Sequence, residues 1–87
     1  MVRYNLIFQG RVQGVGFRYR SKLIADKLGL TGNIENLYNG DVECNIQGDK
    51  EKIEVFIQRL EDSRFIYIDN IIKKELDPIK EDEFYVK

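Results

Sequence analysis

The sequence predicts an α+β domain in which an antiparallel sheet carries two helices on one of its faces. Three observations lead to this class. Apolar residues alternate with polar ones in strand-like segments, they recur at three- and four-residue spacing in two helix-like segments, and an Asn-Gly pair lies between two of the strands. With 87 residues, the chain suits one domain, residues 1–87.

The first strand is predicted over residues 3–12, because alternate apolar positions would share one face of an extended chain. These positions are Tyr4, Leu6 and Phe8. The first helix is predicted over residues 18–29, because core-type residues recur there at helical spacing. They are Ser21, Leu23, Ile24 and Leu28. Gly29 stands where a glycine commonly ends a helix.

The second and third strands are predicted over residues 31–38 and 41–48, and together they form a hairpin. Asn39 and Gly40 lie at its turn, and this pair tolerates the positive φ angles of a tight connection. The apolar residues of the third strand alternate with polar ones and are Val42, Cys44 and Ile46. This alternation places Cys44 in the core as a small apolar residue rather than as a nucleophile.

The second helix is predicted to begin after Asp49, whose side chain suits an N-cap. Its apolar stripe has the spacing i, i+3, i+4 and i+7 and consists of Ile53, Phe56, Ile57 and Leu60. A fourth strand is predicted over residues 65–76, ended by Pro78, and residues 84–86 predict a short C-terminal strand at an edge. The order β-α-β-β-α-β, with right-handed crossovers, predicts the ferredoxin-like α/β plait.

Charge and hydropathy exclude several function classes. The formal net charge of −1 gives no general attraction to nucleic acid or anionic lipid. RNA-recognition modules with this fold stack bases on aromatic residues of the third strand, and residues 41–48 contain none. No apolar run approaches the roughly 20 residues of a membrane-spanning helix. Arg3 and Asn5 interrupt any signal-peptide pattern, so we expect a cytoplasmic protein.

The chain contains no histidine, which excludes a Ser-His-Asp triad, a Cys-His pair and the usual zinc sites. Its single cysteine excludes an internal disulfide. Four acids near the C-terminus are interpreted as a solvated tail rather than a metal-binding cluster: Asp77, Glu81, Asp82 and Glu83. Any catalysis must therefore use arginine, asparagine, tyrosine, lysine, carboxylates or the main chain.

The most informative segment is Gly10–Arg18, GRVQGVGFR, between the first strand and the first helix. A glycine-rich turn before a helix aims several main-chain N–H groups at one point, where the helix dipole also favours an anion. Arg18 adds a planar cation suited to phosphate or carboxylate. The ending of a P-loop is absent, and Tyr19 replaces the third glycine of a dinucleotide-binding fingerprint. The turn alone is also compatible with a structural role and a solvated arginine.

Asn36 lies near the end of the second predicted strand. Its amide oxygen can accept a hydrogen bond from a water while its nitrogen donates to an oxyanion. That combination suits the positioning of a water for in-line attack on phosphorus. Taken alone, Asn36 fits a turn asparagine beside Asn39 and Gly40 better than a functional residue.

Residues 10–18 and the later pattern GxxxNxxxGxV over residues 32–42 closely resemble the acylphosphatase family, and the resemblance covers essentially the whole chain. It implies a hydrolase that needs no metal or cofactor and cleaves acyl phosphates into a carboxylate and inorganic phosphate. It implies that Arg18 binds the phosphate and that Asn36 orients the attacking water. The implied cradle consists of the main-chain N–H groups of Gln13, Gly14, Val15, Gly16, Phe17 and Arg18.

The resemblance further implies a small acyl phosphate as substrate and inorganic phosphate as product and inhibitor. We expect a monomer without a nucleic-acid or membrane partner. The sequence departs from the family at Asn33, where a large aromatic residue is usual, and at Glu35, where a basic residue is frequent. Strand alternation puts both on the face opposite Asn36. The alternative is a non-catalytic anion-binding or regulatory module on the same fold, which would not require the amide of Asn36.

Overall fold

The structure, a computed structural model, describes all residues from 1 to 87. It contains two helices and a five-stranded sheet with the order β4-β1-β3-β2-β5. The elements are β1 (Val2–Arg11), α1 (Phe17–Leu28), β2 (Thr31–Asn36), β3 (Val42–Gly48), α2 (Lys50–Glu61), β4 (Tyr67–Leu76) and β5 (Phe84–Val86). The predicted ferredoxin-like arrangement, including the extra C-terminal strand, is confirmed. Neither helix is long and apolar enough to cross a membrane.

The strand β1 lies inside the sheet and pairs antiparallel with β3 and β4. Both partners come from distant parts of the chain, since Phe8 pairs with Val42 and Arg11 pairs with Tyr67. The strand β2 pairs antiparallel with β3 and parallel with β5. This order brings the ends of β1 and β2 to the same region of the fold, each followed by a loop.

The core lies between one face of the sheet and the two helices, which pack against each other. It comprises 17 buried apolar residues, and the alternation in β1 and β3 supplies six of them. These six are Tyr4, Leu6, Phe8, Val42, Cys44 and Ile46. The side chain of Asp49 accepts hydrogen bonds from the N–H groups of Glu51 and Lys52, so the predicted N-cap of α2 is confirmed.

Three predicted details are wrong for local reasons. Leu23 is 58% exposed, because the buried stripe of α1 follows Phe17, Ser21 and Ile24 and leaves position 23 to one side. The second strand ends at Asn36 rather than at residue 38, because a hairpin turn follows directly. The fourth strand begins two residues later than predicted, because Phe65 has a φ of 69°, which no strand accommodates.

The connection from β4 to β5 crosses the face of the sheet opposite the helices. Gln47 holds it through both ends of its side-chain amide: Nε2 donates to the main-chain oxygen of Ile79 at 2.7 Å, and Oε1 accepts from the N–H of Ile79 at 2.9 Å. Arg3 pairs with Glu81 at 2.8 Å, and their side chains are only 7% and 10% exposed. The interpretation of Glu81 as part of a solvated tail is therefore wrong, whereas Asp82 is exposed as predicted.

Replacement of Glu81 by Ala should lower the free energy of unfolding by about 3–5 kcal/mol, because it leaves the Arg3 guanidinium buried without its counter-charge. Asp82→Ala is the matched control and should change it by less than about 0.5 kcal/mol. Urea unfolding of both variants measures the difference. Equal midpoints and slopes for the two variants would contradict a stabilising role of the buried pair.

Candidate active site

The loop between β1 and α1 is fixed at its two ends by buried apolar residues. Val12 is 1% exposed and Phe17 is 2% exposed, and the Phe17 ring packs against Phe8 with 5.0 Å between centroids. Between these ends, Gly14 and Gly16 have φ angles of 73° and 77°, in the left-handed region that glycine adopts without strain. A Cβ at either position would meet open space. Glycine is therefore favoured here by the main-chain conformation and not by a lack of room for a side chain.

The main-chain N–H groups of this loop have no partner within the protein. Those of residues 13–16 donate no hydrogen bond, and Arg20 is the first helical residue whose N–H reaches a loop carbonyl, that of Gly16 at 3.0 Å. The amides that precede it in α1 are the unsatisfied donors of any helix N-terminus. Consecutive free donors together with the positive end of a helix dipole form an anion-binding concavity.

Arg18 lies in the first turn of α1 and is partly exposed. Its Nη1 donates a hydrogen bond of 2.7 Å to the main-chain oxygen of Lys87. The N–H of Lys87 in turn donates to the carbonyl of Ile34 at 2.8 Å, so this oxygen is itself fixed against β2. The guanidinium is therefore oriented toward β5, and its other donors remain free for a ligand.

Asn36 is the last residue of β2 and is exposed, whereas Ile34 on the same face is fully buried. Asn33 accepts a hydrogen bond from Asn45 at 3.2 Å and thereby belongs to the polar face of the sheet. Glu35 has the same parity as Asn33 and pairs in register with Glu43 on that face. The two departures from the family pattern therefore lie on the face away from Asn36, as the alternation predicted.

One cavity of about 590 Å³ brings the predicted functional residues together. Gly14, Gly16, Phe17, Arg18 and Asn36 all line it. Gln13 and Val15, also predicted for the cradle, are not among the residues that line this cavity. Further lining residues come from α1, from β5 and from the positions just after β1 and just before β5: Val12, Tyr19, Lys22, Glu83, Phe84, Tyr85 and Val86.

Sequence reasoning missed the wall that β5 contributes. Lys22 connects α1 to it, since its Nζ donates to the carbonyl of Phe84 at 2.8 Å and to Asp26 at 3.2 Å. The hydroxyl of Tyr85 donates to the Glu83 carboxylate, and this hydrogen bond raises the pKa of Tyr85. The one signal in the sequence was the position of Lys22 four residues after Arg18, because residues at this spacing lie on the same face of a helix.

The remaining candidate groups supply neither a nucleophile nor a metal site. Cys44 is fully buried, and burial raises the pKa of its thiol, which removes it as a nucleophile as the sequence predicted. No group of three or more acids or cysteines is arranged to hold a metal ion. The arrangement therefore offers anion binding by main-chain N–H groups and Arg18, with the amide of Asn36 at the same cavity.

Comparison with known proteins gives one consistent family. The family profile described as Acylphosphatase matches residues 4–86. An acylphosphatase of Clostridium beijerinckii is 52% identical over 60 residues, covering 69% of this chain and 67% of the relative. An acylphosphatase of Enterococcus faecalis is 40% identical over 74 residues, covering 79% and 81%. The crystal structure of acylphosphatase from Bacillus subtilis is 32% identical with a TM-score of 0.92, covering 100% and 99% of the two chains.

Proposed function

The chain belongs to the acylphosphatase family and is a hydrolase that acts on small acyl phosphates, and we propose that Arg18, Asn36 and the loop before α1 carry out the reaction. The observation that carries this assignment is the shared cavity. It joins a loop of free main-chain donors, one guanidinium and one amide.

The loop and Arg18 bind the phosphoryl group. The N–H groups of residues 13–18 surround its oxygens, and the planar guanidinium supplies two parallel donors. Negative charge grows on these oxygens as the transition state forms, and fixed donors stabilise it without reorganisation. The buried residues Val12 and Phe17 fix the two ends of the loop, so its N–H groups are already in place. The loop therefore loses little conformational freedom when the phosphoryl group binds.

Asn36 orients the attacking water. The water oxygen forms a bond to phosphorus while the bond between phosphorus and the acyl oxygen breaks, and the carboxylate leaves with that electron pair. A carboxylate is a weak base, so the leaving group needs little help from a general acid. No histidine is present to act as a base, and a phosphoryl oxygen of the substrate accepts the proton of the water. Positioning and charge stabilisation thus account for catalysis.

Hydrolysis of benzoyl phosphate, measured with and without EDTA, tests the proposed reaction. We expect release of benzoate and inorganic phosphate at the same rate in both conditions, because the proposed machinery contains no metal. Phosphate binding without turnover would instead favour the non-catalytic anion-binding module. A rate that EDTA abolishes and added divalent cation restores would contradict the metal-independent mechanism.

Inorganic phosphate, the product, should bind in the cradle, inhibit competitively and stabilise the fold. At a concentration of about 100 times its Kd, it should raise the free energy of unfolding by about 2.7 kcal/mol. Thermal melts in phosphate and in chloride of matched ionic strength measure this effect. Arg18→Ala should lose most of it, and equal melting temperatures of the unchanged protein in both salts would contradict a preformed cradle.

We further propose that the protein acts as a monomer made of a single domain and that it is cytoplasmic. All residues of the proposed site come from one chain and lie within residues 12–36 and 83–87. Size-exclusion chromatography with light scattering tests the oligomeric state.

A further inference from the structure

We propose that Gln13 is a positioning residue whose side-chain amide holds the phosphate cradle in register with Asn36. The inference rests on the roles proposed above for the cradle and for Asn36. It concerns the side chain of Gln13, a residue that does not line the cavity, whereas the proposed cradle uses the main-chain N–H of this residue.

The amide of Gln13 connects the loop to the hairpin that follows β2. Its Nε2 donates to the main-chain oxygens of Leu37 and Asp41, both at 2.8 Å and 24 and 28 residues further along the chain. Leu37 follows Asn36 directly, and its N–H closes the hairpin by donating to the Asp41 oxygen at 2.8 Å. Both hydrogens of the amide are therefore used to hold the two sides of the hairpin turn.

These two hydrogen bonds are the only ones that join residues 12–16 to a distant part of the chain. Val12 and Phe17 also hold the ends of the loop, but apolar burial is non-directional. Hydrogen bonds have a preferred length and angle, so the amide of Gln13 supplies the directional restraint. It acts between the segment that binds phosphate and the segment that ends in Asn36.

This restraint matters because the two reacting partners are held by different segments. The loop holds the phosphoryl group, and Asn36 holds the water. In-line attack requires a fixed distance and angle between them, and a displacement of about 1 Å can cost about 10²-fold in rate. The main-chain donors and Arg18 persist without the Gln13 side chain, so phosphate affinity depends on this side chain much less than turnover does.

Gln13→Ala should lower kcat for benzoyl phosphate by about 10-fold to 10²-fold. The inhibition constant of phosphate should stay within about twofold, because only the positioning of the water is lost. Gln13→Met is measured beside it, since it keeps the side-chain length and removes both donors. Gln9→Ala is the matched control and should retain wild-type kcat. The Nε2 of Gln9 also donates a hydrogen bond to Asp41, at its Oδ2 at 3.2 Å, but Gln9 lies outside the loop.

A double-mutant cycle separates positioning from a merely structural role. In an Asn36→Ala background, Gln13→Ala should cause no further loss of kcat, because the group that it positions is gone. In an Arg18→Ala background, Gln13→Ala should still lower kcat by its full factor, because Asn36 is present. Additive losses in the Asn36→Ala background would overturn the inference, and so would normal kcat in both Gln13 variants with a lower melting temperature.

The same measurements distinguish this inference from the proposed function. A fully active Asn36→Ala variant would overturn the assignment of the site and the role of Gln13 together. An inactive Asn36→Ala variant combined with fully active Gln13→Ala and Gln13→Met would overturn the role of Gln13 alone.

Discussion

Arg18→Ala should lower kcat/KM for benzoyl phosphate by at least about 10²–10³, the scale of losing one strong donor to a developing oxyanion. The guanidinium is oriented toward the cavity by its 2.7 Å hydrogen bond to the Lys87 oxygen, so its remaining donors meet the phosphoryl group without further ordering. Arg18→Lys should recover only part of the loss, because an ammonium group cannot reproduce the planar fork. Steady-state kinetics of the three proteins give the comparison.

Arg20→Ala is the matched control for this prediction. Arg20 lies two residues further along α1, is exposed and does not line the cavity, so its removal should leave kcat/KM unchanged. The melting temperature of Arg18→Ala should change little, because its only hydrogen bond is at the surface. Near-normal turnover of either Arg18 variant would show that the site is assigned to the wrong residue.

Asn36→Ala should abolish most hydrolysis while phosphate still binds and inhibits. The proposed partner of Asn36 is a water, whereas Arg18 and the main-chain donors hold the anion. A variant that loses only transition-state positioning lowers kcat and leaves KM and product affinity largely unchanged. Measurement of kcat, phosphate affinity and melting temperature on one preparation therefore separates the two functions. Normal kcat with a lower melting temperature would make Asn36 a turn residue.

Two further variants sharpen the assignment of Asn36. Asn36→Asp has nearly the same shape but removes the amide donor and adds negative charge beside an anionic substrate, so it should also be poorly active. Asn33→Ala is the control from the same strand. Its side chain belongs to the opposite face and bonds to Asn45, so its activity should match the unchanged protein.

The features that depend on neighbouring residues could be predicted from the sequence. The N-cap at Asp49 and the glycine-rich turn before α1 each follow from residues close together in the chain. The alternation of β2 also placed Asn33 and Asn36 on opposite faces before any contact was known. The family resemblance added the roles of Arg18 and Asn36, which the residues alone left open between a functional site and an ordinary turn.

Features that depend on distant residues could not be predicted in this way. Arg3 and Glu81 are 78 residues apart, and nothing local in either segment marks them as partners. The wall contributed by β5 is hidden for the same reason, since its place beside β2 follows from a connection that crosses the sheet. The hydrogen bonds of the Gln13 side chain could not be predicted either. Its two acceptors are main-chain oxygens, which any residue type would supply, so the sequence does not mark them as partners.

The position of β1 between β3 and β4 has a consequence for the speed of folding. The strand that leads into the cradle gains its first partner only when the chain returns at Val42–Gly48, and its second only when Tyr67–Leu76 arrives. Large loops must therefore close before these contacts compensate for the lost chain entropy, so the domain should fold more slowly than small domains built from local helical contacts. A growing chain consequently completes the pairing of β1 only after Tyr67–Leu76 has been made, although the phosphate loop itself is among the first segments made.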